Sequence, residues 1–423
     1  MKRIILFLTI AVIALSGCKK DSLAKYDIEK SFADPSIKLE DFKKAIASGT
    51  DGFRLIITPS VGALVGGYIK FDATASAKIL LDNSVVNATT PVDNVYSIKI
   101  IKTNSVLALG ETSPFAVVAR GIGGIDTTYS YKNTIGDTLK LVGDLLGTKL
   151  SLIKLAKKDG DEYLAGKMGQ TIGAVNSLKS FAKYFKRLTT GGKSYDITFN
   201  TTAKTATFNY AKGTTFTSFS TPMIFINNGI EFTYPLVDGT NAIKSLNDLA
   251  VNLSNSSASL SVGASAAVLS NEAAPVAYDK TAAARFISSP TQGTYSESVS
   301  AFTISGVPDG LGAKTIPNFA TIDFYPKVGT NAYGGFRFWL TSAYFGFYPA
   351  FTSVVTPDGK IIFTLLGYAG TATGNATRQV IINTANIIAQ PEGFYIIPTA
   401  NSTGVNSYDM VNVKDGSAWI SFQ

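Results

Sequence analysis

The run Thr138-Leu-Lys-Leu-Val142 is followed by Leu146-Gly147 and then by Lys149-Leu-Ser-Leu-Ile-Lys154. In both runs apolar and polar residues largely alternate, which is the period of a β-strand with one buried face. Leu146-Gly147 and the preceding Gly136-Asp137 suit turns. The segment therefore predicts neighbouring antiparallel strands.

Runs of the same kind fill the chain upstream of this segment, from Gly52 onward. Because they are short, closely spaced and separated by Gly, Pro, Asn and Asp, we expect one antiparallel sheet or barrel from about residue 50 to 156. The runs are Phe53–Thr58, Gly67–Asp72, Lys78–Leu81, Tyr96–Ile101, Val106–Leu109 and Thr128–Tyr131.

A helix is expected before this sheet. Asp34-Pro35 suits a helix start and Ser48-Gly49 suits its end. Ile37, Phe42 and Ile46 would share an apolar face. We expect this face to dock on the sheet.

A second helical segment is expected between about residues 159 and 192, with a helix over Ala174–Arg187. Apolar residues recur there at helical spacing. They are Val175, Leu178, Phe181 and Phe185. The basic residues off this stripe form a solvated face or, as the alternative, a face that binds phosphate or a membrane. They are Lys179, Lys183, Lys186 and Arg187.

The rest of the chain again has the pattern of strands. Asn227-Asn228-Gly229 before Ile230–Tyr234 predicts a hairpin. Residues 252 to 271 are rich in small polar side chains and suit a loop or an irregular strand pair. A later sheet is expected from about Phe286 to Gln423. Further predicted strands are Tyr195–Phe199, Thr205–Tyr210, Ile361–Leu366, Gly393–Pro398 and Ala418–Phe422.

The N-terminus has the pattern of an export signal. Lys2 and Arg3 precede an apolar run, Ile4–Leu15, that is shorter than the roughly 20 residues a membrane-spanning helix needs. Leu15-Ser16-Gly17-Cys18 resembles the lipobox of bacterial lipoproteins, which implies cleavage before Cys18 and covalent lipid on its thiol. The alternative is a buried helix that ends in a chance cysteine. Multiple acylation would make attachment to a membrane effectively permanent.

These patterns predict a mainly β protein with a few short helices, a β-rich α+β fold. Charged residues make up only 16% of the 423 residues, which favours strands and turns over long surface helices. Two antiparallel domains, barrel-like or sandwich-like, would be joined by a helical segment. The expected division is residues 1–17 signal peptide, 18–33 lipidated cysteine and tether, 34–158 helix plus β-domain, 159–192 helical linker and 193–423 C-terminal β-rich domain.

A set of turn and strand motifs resembles a known family. The order of Gly52-Phe53, Gly66–Asp72, Tyr96-Ser97-Ile98, Asp137–Gly143 and Gly147–Leu150 after the Asp34-Pro35 helix is similar to Bacteroidetes lipoproteins catalogued as domain of unknown function 4302. The resemblance covers residues 18 to 165 best. It implies an envelope lipoprotein at the outer membrane, with surface exposure favoured and periplasmic placement as the alternative. It supplies no activity and no catalytic residues.

Composition excludes several kinds of site. Histidine is absent, which excludes Ser-His-Asp and Cys-His nucleophiles and imidazole metal sites. Gly121–Gly124 lacks the spacing of a dinucleotide-binding loop. Asp159–Glu162 offers oxygen ligands for calcium but lacks the rest of an EF-hand loop, so no metal site is expected. Basic residues are spread along the chain, so nucleic acid is not an expected partner.

The densest unusual feature is the aromatic segment Phe336–Phe351. Aromatic rings stack on the C–H faces of sugars, and Tyr and Trp also carry a polar group. Trp339, Tyr344 and Tyr348 are therefore the candidate ligand-binding residues. The alternative places them in core strands.

The leading hypothesis is a non-catalytic, lipid-anchored envelope protein that binds glycans. Its expected partners are a membrane, through the lipid on Cys18, and a polysaccharide or an envelope protein. Two alternatives are a structural or adhesive lipoprotein with a protein partner, and a glycosidase with two carboxylates. No catalytic residue and no cofactor other than the covalent lipid are predicted.

Overall fold

The computed structural model describes residues 34–111, 113–371, 374–400 and 406–423. Strands form two closed eight-stranded antiparallel barrels and a third, nine-stranded sheet. The expectation of a mainly β protein with a few short helices is confirmed. The predicted signal peptide, Cys18 and the tether lie outside the described residues. No helix in the described ranges is both long enough and apolar enough to span a membrane.

The first barrel closes because β1 pairs with both β2 and β8. Every strand predicted between residues 50 and 156 overlaps one of its strands. They are β1 (Phe53–Thr58), β2 (Val65–Phe71), β3 (Ser76–Leu81), β4 (Val92–Ile101), β5 (Asn104–Leu109), β6 (Thr128–Ile135), β7 (Thr138–Gly143) and β8 (Lys149–Lys154). Its helices are α1 (Pro35–Ala47), α2 (Val85–Thr89) and α3 (Pro114–Ile122).

Helix α1 begins where the sequence predicts. The Asp34 carboxylate accepts a hydrogen bond from the Ser36 N–H, and Pro35 occupies the first turn. Phe42 and Ile46 are buried against the first barrel. Ile37 was expected on the same face but is 60% exposed, because it lies in the first turn, beyond the edge of the contact with the barrel.

Helices α4 (Lys157–Leu164) and α5 (Lys167–Ser177) lead from the first barrel to the second. The second barrel closes through pairing of β9 with both β10 and β16. Its strands are β9 (Phe185–Thr190), β10 (Lys193–Asn200), β11 (Thr205–Lys212), β12 (Thr215–Ile226), β13 (Gly229–Asp238), β14 (Asn241–Asn252), β15 (Ser257–Val262) and β16 (Ser265–Glu272). The predicted hairpin is the β12–β13 turn, and the polar stretch 252–271 forms a strand pair.

The helix predicted over Ala174–Arg187 is shorter than expected. Helix α5 ends at Ser177, a 3-10 turn follows, and Phe185 opens a strand. Pairing with two neighbouring strands buries Phe185 and Leu188 and outweighs the helical spacing of the apolar residues. The expected boundary at residue 192 therefore falls between two hydrogen-bonded strands of one barrel.

Residues 193–423, expected as one domain, hold seven strands of the second barrel and the whole third sheet. The later sheet expected from about Phe286 to Gln423 is this third sheet, which the expected division had placed in one domain with the strands of the second barrel. The sheet contains β17 (Ser296–Glu297), β18 (Thr303–Ile304), β19 (Phe319–Tyr325), β20 (Gly334–Leu340), β21 (Phe347–Val355), β22 (Ile361–Gly370), β23 (Phe394–Ala400), β24 (Asn406–Asn412) and β25 (Ala418–Phe422). Two helices, α6 (Ala282–Ser288) and α7 (Asn375–Ile388), accompany it.

The third sheet curls around its own core. The Ser298 N–H donates to the Ile322 carbonyl at 3.2 Å, and the Val299 N–H donates to the Ser421 carbonyl at 2.8 Å. The segment 296–299 thus contacts both β19 and β25, the strands next to the two edge strands β17 and β18. Phe286 of α6 stacks on Phe324 inside, with ring centroids 5.2 Å apart.

A buried carboxylate joins the two barrels. Asp82 follows β3 and accepts hydrogen bonds from the N–H groups of Gly66 in the first barrel and Phe225 in the second, both at 2.9 Å. Its Oδ1 also lies 2.5 Å from the Lys204 ammonium of the second barrel. Burial raises the pKa of Asp82, opposed by Lys204 and the two backbone donors.

The barrels also touch closely around this carboxylate. A Cβ added to Gly66 would lie 2.9 Å from Cβ of Ile224, so only glycine fits there. Arg54 of β1 pairs with Glu231 of β13 at 2.5 Å. Tyr68 of β2 stacks on Tyr163 of α4 at 5.2 Å and belongs to the core of the second barrel. The two barrels therefore share one continuous interface.

Replacing Lys204 by Met would leave the Asp82 carboxylate buried without its ammonium partner. We expect the free energy of unfolding to fall by about 3–5 kcal/mol, the cost of an uncompensated buried charge. Urea denaturation followed by circular dichroism measures this loss.

The matched control is Lys78→Met, which breaks the exposed 3.0 Å pair of Lys78 with Asp93. Its expected cost is at most about 1 kcal/mol. Equal losses in the two variants would show that the buried pair does not constrain the barrels.

Candidate functional site

The predicted aromatic segment lies on two faces of the third sheet. Phe336 and Phe338 of β20 point into its core, whereas Arg337 and Trp339 alternate with them and lie on the outer side. In β21, Phe347 and Phe351 are likewise in the core, and Tyr348 is half-buried on the outer side. The four phenylalanines lie in the core, as the alternative expected for the segment. The three candidate residues do not belong to that core.

The three candidate residues belong to one cluster, which we call the aromatic face. Trp339 and Tyr344 form a β-bridge, and their rings meet edge to face at 4.7 Å. Tyr348 joins them through Arg337. Tyr325 packs against Tyr344 at 6.0 Å. The half-buried members of the aromatic face are Tyr295, Tyr325, Tyr333, Arg337, Trp339, Tyr344 and Tyr348.

Arg337 lies at the centre of the aromatic face. Its guanidinium carbon is 4.0 Å from the ring centroid of Tyr344, 5.2 Å from that of Tyr348 and 5.7 Å from that of Tyr325. Cations are attracted to aromatic faces at such distances. The rings therefore hold a flat array of N–H donors at the outer surface of the sheet.

Asp323 is a buried carboxylate that holds Tyr344 of the aromatic face by a hydrogen bond. It lies directly across from Arg337 in the register of β19 and β20 and is 2% exposed. Its Oδ2 accepts a hydrogen bond from the Tyr344 hydroxyl at 2.6 Å, and its Oδ1 accepts one from Thr321 at 2.8 Å. Burial raises the pKa of Asp323, opposed by these two donors and by Arg337.

A second carboxylate is the cross-strand neighbour of Asp323. Glu297 of β17 pairs with it in register, and burial together with the Asp323 charge raises the pKa of Glu297. Because both oxygens of Asp323 already accept hydrogen bonds, that carboxylate positions Tyr344 and Thr321. The pair does not present two free carboxylates to a substrate.

A second feature, which we call the cleft, separates the second barrel from the outer side of β24 and β25. It comprises two adjoining cavities of about 480 and 400 Å³. The Tyr184 hydroxyl donates to Asp409 Oδ2 at 2.6 Å across the cleft. Burial raises the pKa of Asp409.

No sequence pattern indicates the cleft. Tyr184 and Asp409 are 225 residues apart, and no motif connects them. The helical spacing predicts Lys186 as a basic residue off the apolar stripe of a helix, whereas it lies on β9 and lines the cleft. For the aromatic face, by contrast, the alternation of Phe with Arg337 and Trp339 was a usable signal.

The oxygen ligands of Asp159–Glu162 contact the second barrel. Asp159 Oδ1 and Glu162 Oε2 accept hydrogen bonds from the Asn227 side-chain amide, at 3.1 and 2.7 Å. Within the part of the chain that the structure describes, no three His, Cys, Asp or Glu side chains are grouped to hold a metal ion. Asp159 and Glu162 thus link α4 to the second barrel.

Comparison with known proteins gives one family. The sequence model of Domain of unknown function (DUF4302) matches residues 36–249, the first barrel, α4, α5 and the second barrel as far as β14. No curated protein matches the chain. Among solved structures, the DNA polymerase III beta chain of Streptococcus pneumoniae TIGR4 is 9% identical over 91% of this chain and 97% of its own, with a TM-score of 0.14. A likeness at that TM-score does not establish a shared fold.

Replacing Tyr344 by Phe removes the hydroxyl that donates to the buried Asp323 carboxylate. We expect the free energy of unfolding to fall by about 1–3 kcal/mol, because one oxygen loses its donor. Urea denaturation gives this value. Tyr234→Phe, at a tyrosine that is 62% exposed, is the control and should change stability by less than about 0.5 kcal/mol. Similar small effects at both positions would contradict an anchoring role for Asp323.

Proposed function

The chain belongs to the family Domain of unknown function (DUF4302), and from this premise and the geometry of its third sheet we propose that it is a non-catalytic glycan-binding protein of the bacterial cell envelope. The family name assigns no activity, so the proposal depends on the aromatic face. Its first support is that Trp339, Tyr344 and Tyr348 lie on one outer surface.

The observation that carries the proposal is the packing around Arg337. A sugar offers C–H faces to aromatic rings and adjacent hydroxyls to a planar donor group. The aromatic face combines both: half-buried rings surround a guanidinium that lies over the ring of Tyr344, and Asp323 accepts the hydrogen bond that holds this tyrosine. Because packing already orders these side chains, binding of a ligand would cost little of their conformational entropy.

The carboxylates favour binding over hydrolysis. A glycosidase places one acid and one base or nucleophile on either side of the scissile bond. Asp323 is 2% exposed and its two oxygens accept hydrogen bonds from Thr321 and Tyr344, so it cannot serve as that base without breaking them. Glu297 alone does not complete the pair.

The envelope location is supported by the N-terminal pattern. The charged start, the short apolar run and Leu15-Ser16-Gly17-Cys18 have the order of a lipoprotein signal. Lipid on Cys18 would hold the protein at the outer membrane, with its β-domains exposed at the cell surface. The resemblance of the motifs to Bacteroidetes lipoproteins implies placement in the cell envelope as well.

A polysaccharide panel tests the glycan proposal. We expect saturable binding to at least one glycan, weakened more than about tenfold in Trp339→Ala because about 1.4 kcal/mol of ring contact is lost. Isothermal titration gives both dissociation constants. Tyr234→Ala, at an exposed tyrosine of the second barrel, should leave binding unchanged. Absence of binding across the panel, or equal binding by both variants, would count against the proposal.

Cys18→Ser tests the lipid anchor. Without the thiol no acyl chain can be attached, so the variant should move from the membrane fraction to the soluble fraction. Metabolic labelling with an alkyne fatty acid should mark the parent chain and not the variant. Lys19→Ser is the control and should keep both label and membrane attachment. Labelling of Cys18→Ser would refute the anchor.

A further inference from the structure

The cleft has walls of two kinds. One half is lined mainly by hydroxyl and amide side chains of the second barrel and the third sheet, including Thr198, Thr207, Thr399 and Ser407. The other half is more apolar and includes Trp419 and Phe199. Its cavities of about 480 and 400 Å³ have the size of small-molecule sites. Such a cleft suits a ligand with both hydroxyl groups and C–H faces.

The charges in the cleft are unequal. Asp409 is the carboxylate that lines the cleft, and it already accepts a hydrogen bond from the Tyr184 hydroxyl. Lys179 and Lys186 line the same cavity. Among the described residues no carboxylate lies within ion-pair distance of Lys186. The cleft therefore has an excess of positive charge.

Lys186 is held in place by aromatic rings. Its ammonium lies 5.6 Å from the ring centroid of Tyr184 and 5.3 Å from that of Trp419. The two rings meet edge to face at 5.8 Å. Cation–π contacts orient the ammonium but leave its N–H donors without an anion. A ligand carboxylate would supply that anion.

We infer that the cleft binds an acidic sugar, a pyranose that carries a carboxylate. Lys186 pairs with the carboxylate, Trp419 packs against the ring, and the threonine and serine hydroxyls bind the sugar hydroxyls. The inference rests on the proposed function only for the class of ligand, a glycan. It does not depend on the aromatic face, because the cleft and the aromatic face share no residue. The structure thus has a second glycan site between the second barrel and the third sheet.

The charge of Lys186 gives the site a pH dependence. Burial lowers the pKa of Lys186 to about 8, and the Asp409 charge opposes this shift. The other titratable groups around it are Tyr184, which directly precedes β9, Asp196 on β10 and Lys179 after α5. A sugar carboxylate stays ionised above neutral pH, so its affinity should fall between about pH 7 and pH 9 as Lys186 loses its proton.

The test compares trigalacturonate with neutral galactotriose by isothermal titration, on the full chain purified in detergent. We expect trigalacturonate to bind more tightly at pH 7, with affinity lost toward pH 9. Lys186→Met should weaken this binding at least about tenfold. Lys186→Arg should retain it and remove the pH dependence, because arginine stays charged. Lys244→Met, at an exposed lysine of the second barrel, should leave it unchanged.

Each result separates this inference from the proposed function. Equal binding of the two trisaccharides, no binding of trigalacturonate, or unchanged affinity in Lys186→Met would overturn the acidic-sugar site, even if Trp339→Ala still abolished binding of another glycan. Trigalacturonate binding that depends on Lys186, together with no effect of Trp339→Ala on any glycan, would overturn the aromatic-face proposal alone. Circular dichroism shows whether Lys186→Met is folded, and Lys186→Arg gives the answer if it is not.

Discussion

The arrangement of the two barrels depends on one buried carboxylate. Asp82 takes hydrogen bonds from Gly66 and Phe225, one in each barrel, and lies against the Lys204 ammonium. A buried charge is tolerated only where such partners surround it, so the barrels must approach to this distance and in this orientation. The contact falls wholly within the region matched by the family, residues 36–249. It is therefore a feature of the family region, independent of the third sheet.

The third sheet packs against the second barrel. A separate apolar cluster at this boundary contains Tyr184 and Phe185 of the second-barrel side and Tyr395, Ile397 and Val411 of the third sheet. The cleft adjoins this cluster, because Tyr184 and Ile397 belong to the cluster and also line the cleft. The aromatic face lies elsewhere on the same sheet. Both candidate sites thus use the outer surface of the third sheet, and this apolar cluster is one of the contacts that join the sheet to the second barrel.

The strands of the first barrel could be predicted from the sequence because each has one buried face and turn residues at both ends. Closure could not, since it requires β1 to pair with β8, about a hundred residues away, and alternation does not identify a strand's partner. The helix predicted over Ala174–Arg187 was too long for the same reason. Phe181 and Phe185 fit a helix by spacing, but long-range pairing with β10 and β16 decided the outcome.

The candidate sites differ in how far local sequence describes them. Alternation between Phe336, Arg337, Phe338 and Trp339 separates two faces, and the hydroxyl and indole groups favour the wetter one. Local sequence does not identify the residue across the sheet from Arg337. Asp323 is its cross-strand neighbour only in the observed register of β19 and β20. A shift of one residue would move Asp323 into the core and Phe324 outward. The burial of Phe324 and Phe336 excludes that shift, so the same core contacts that specify the fold also place the carboxylate beneath Tyr344.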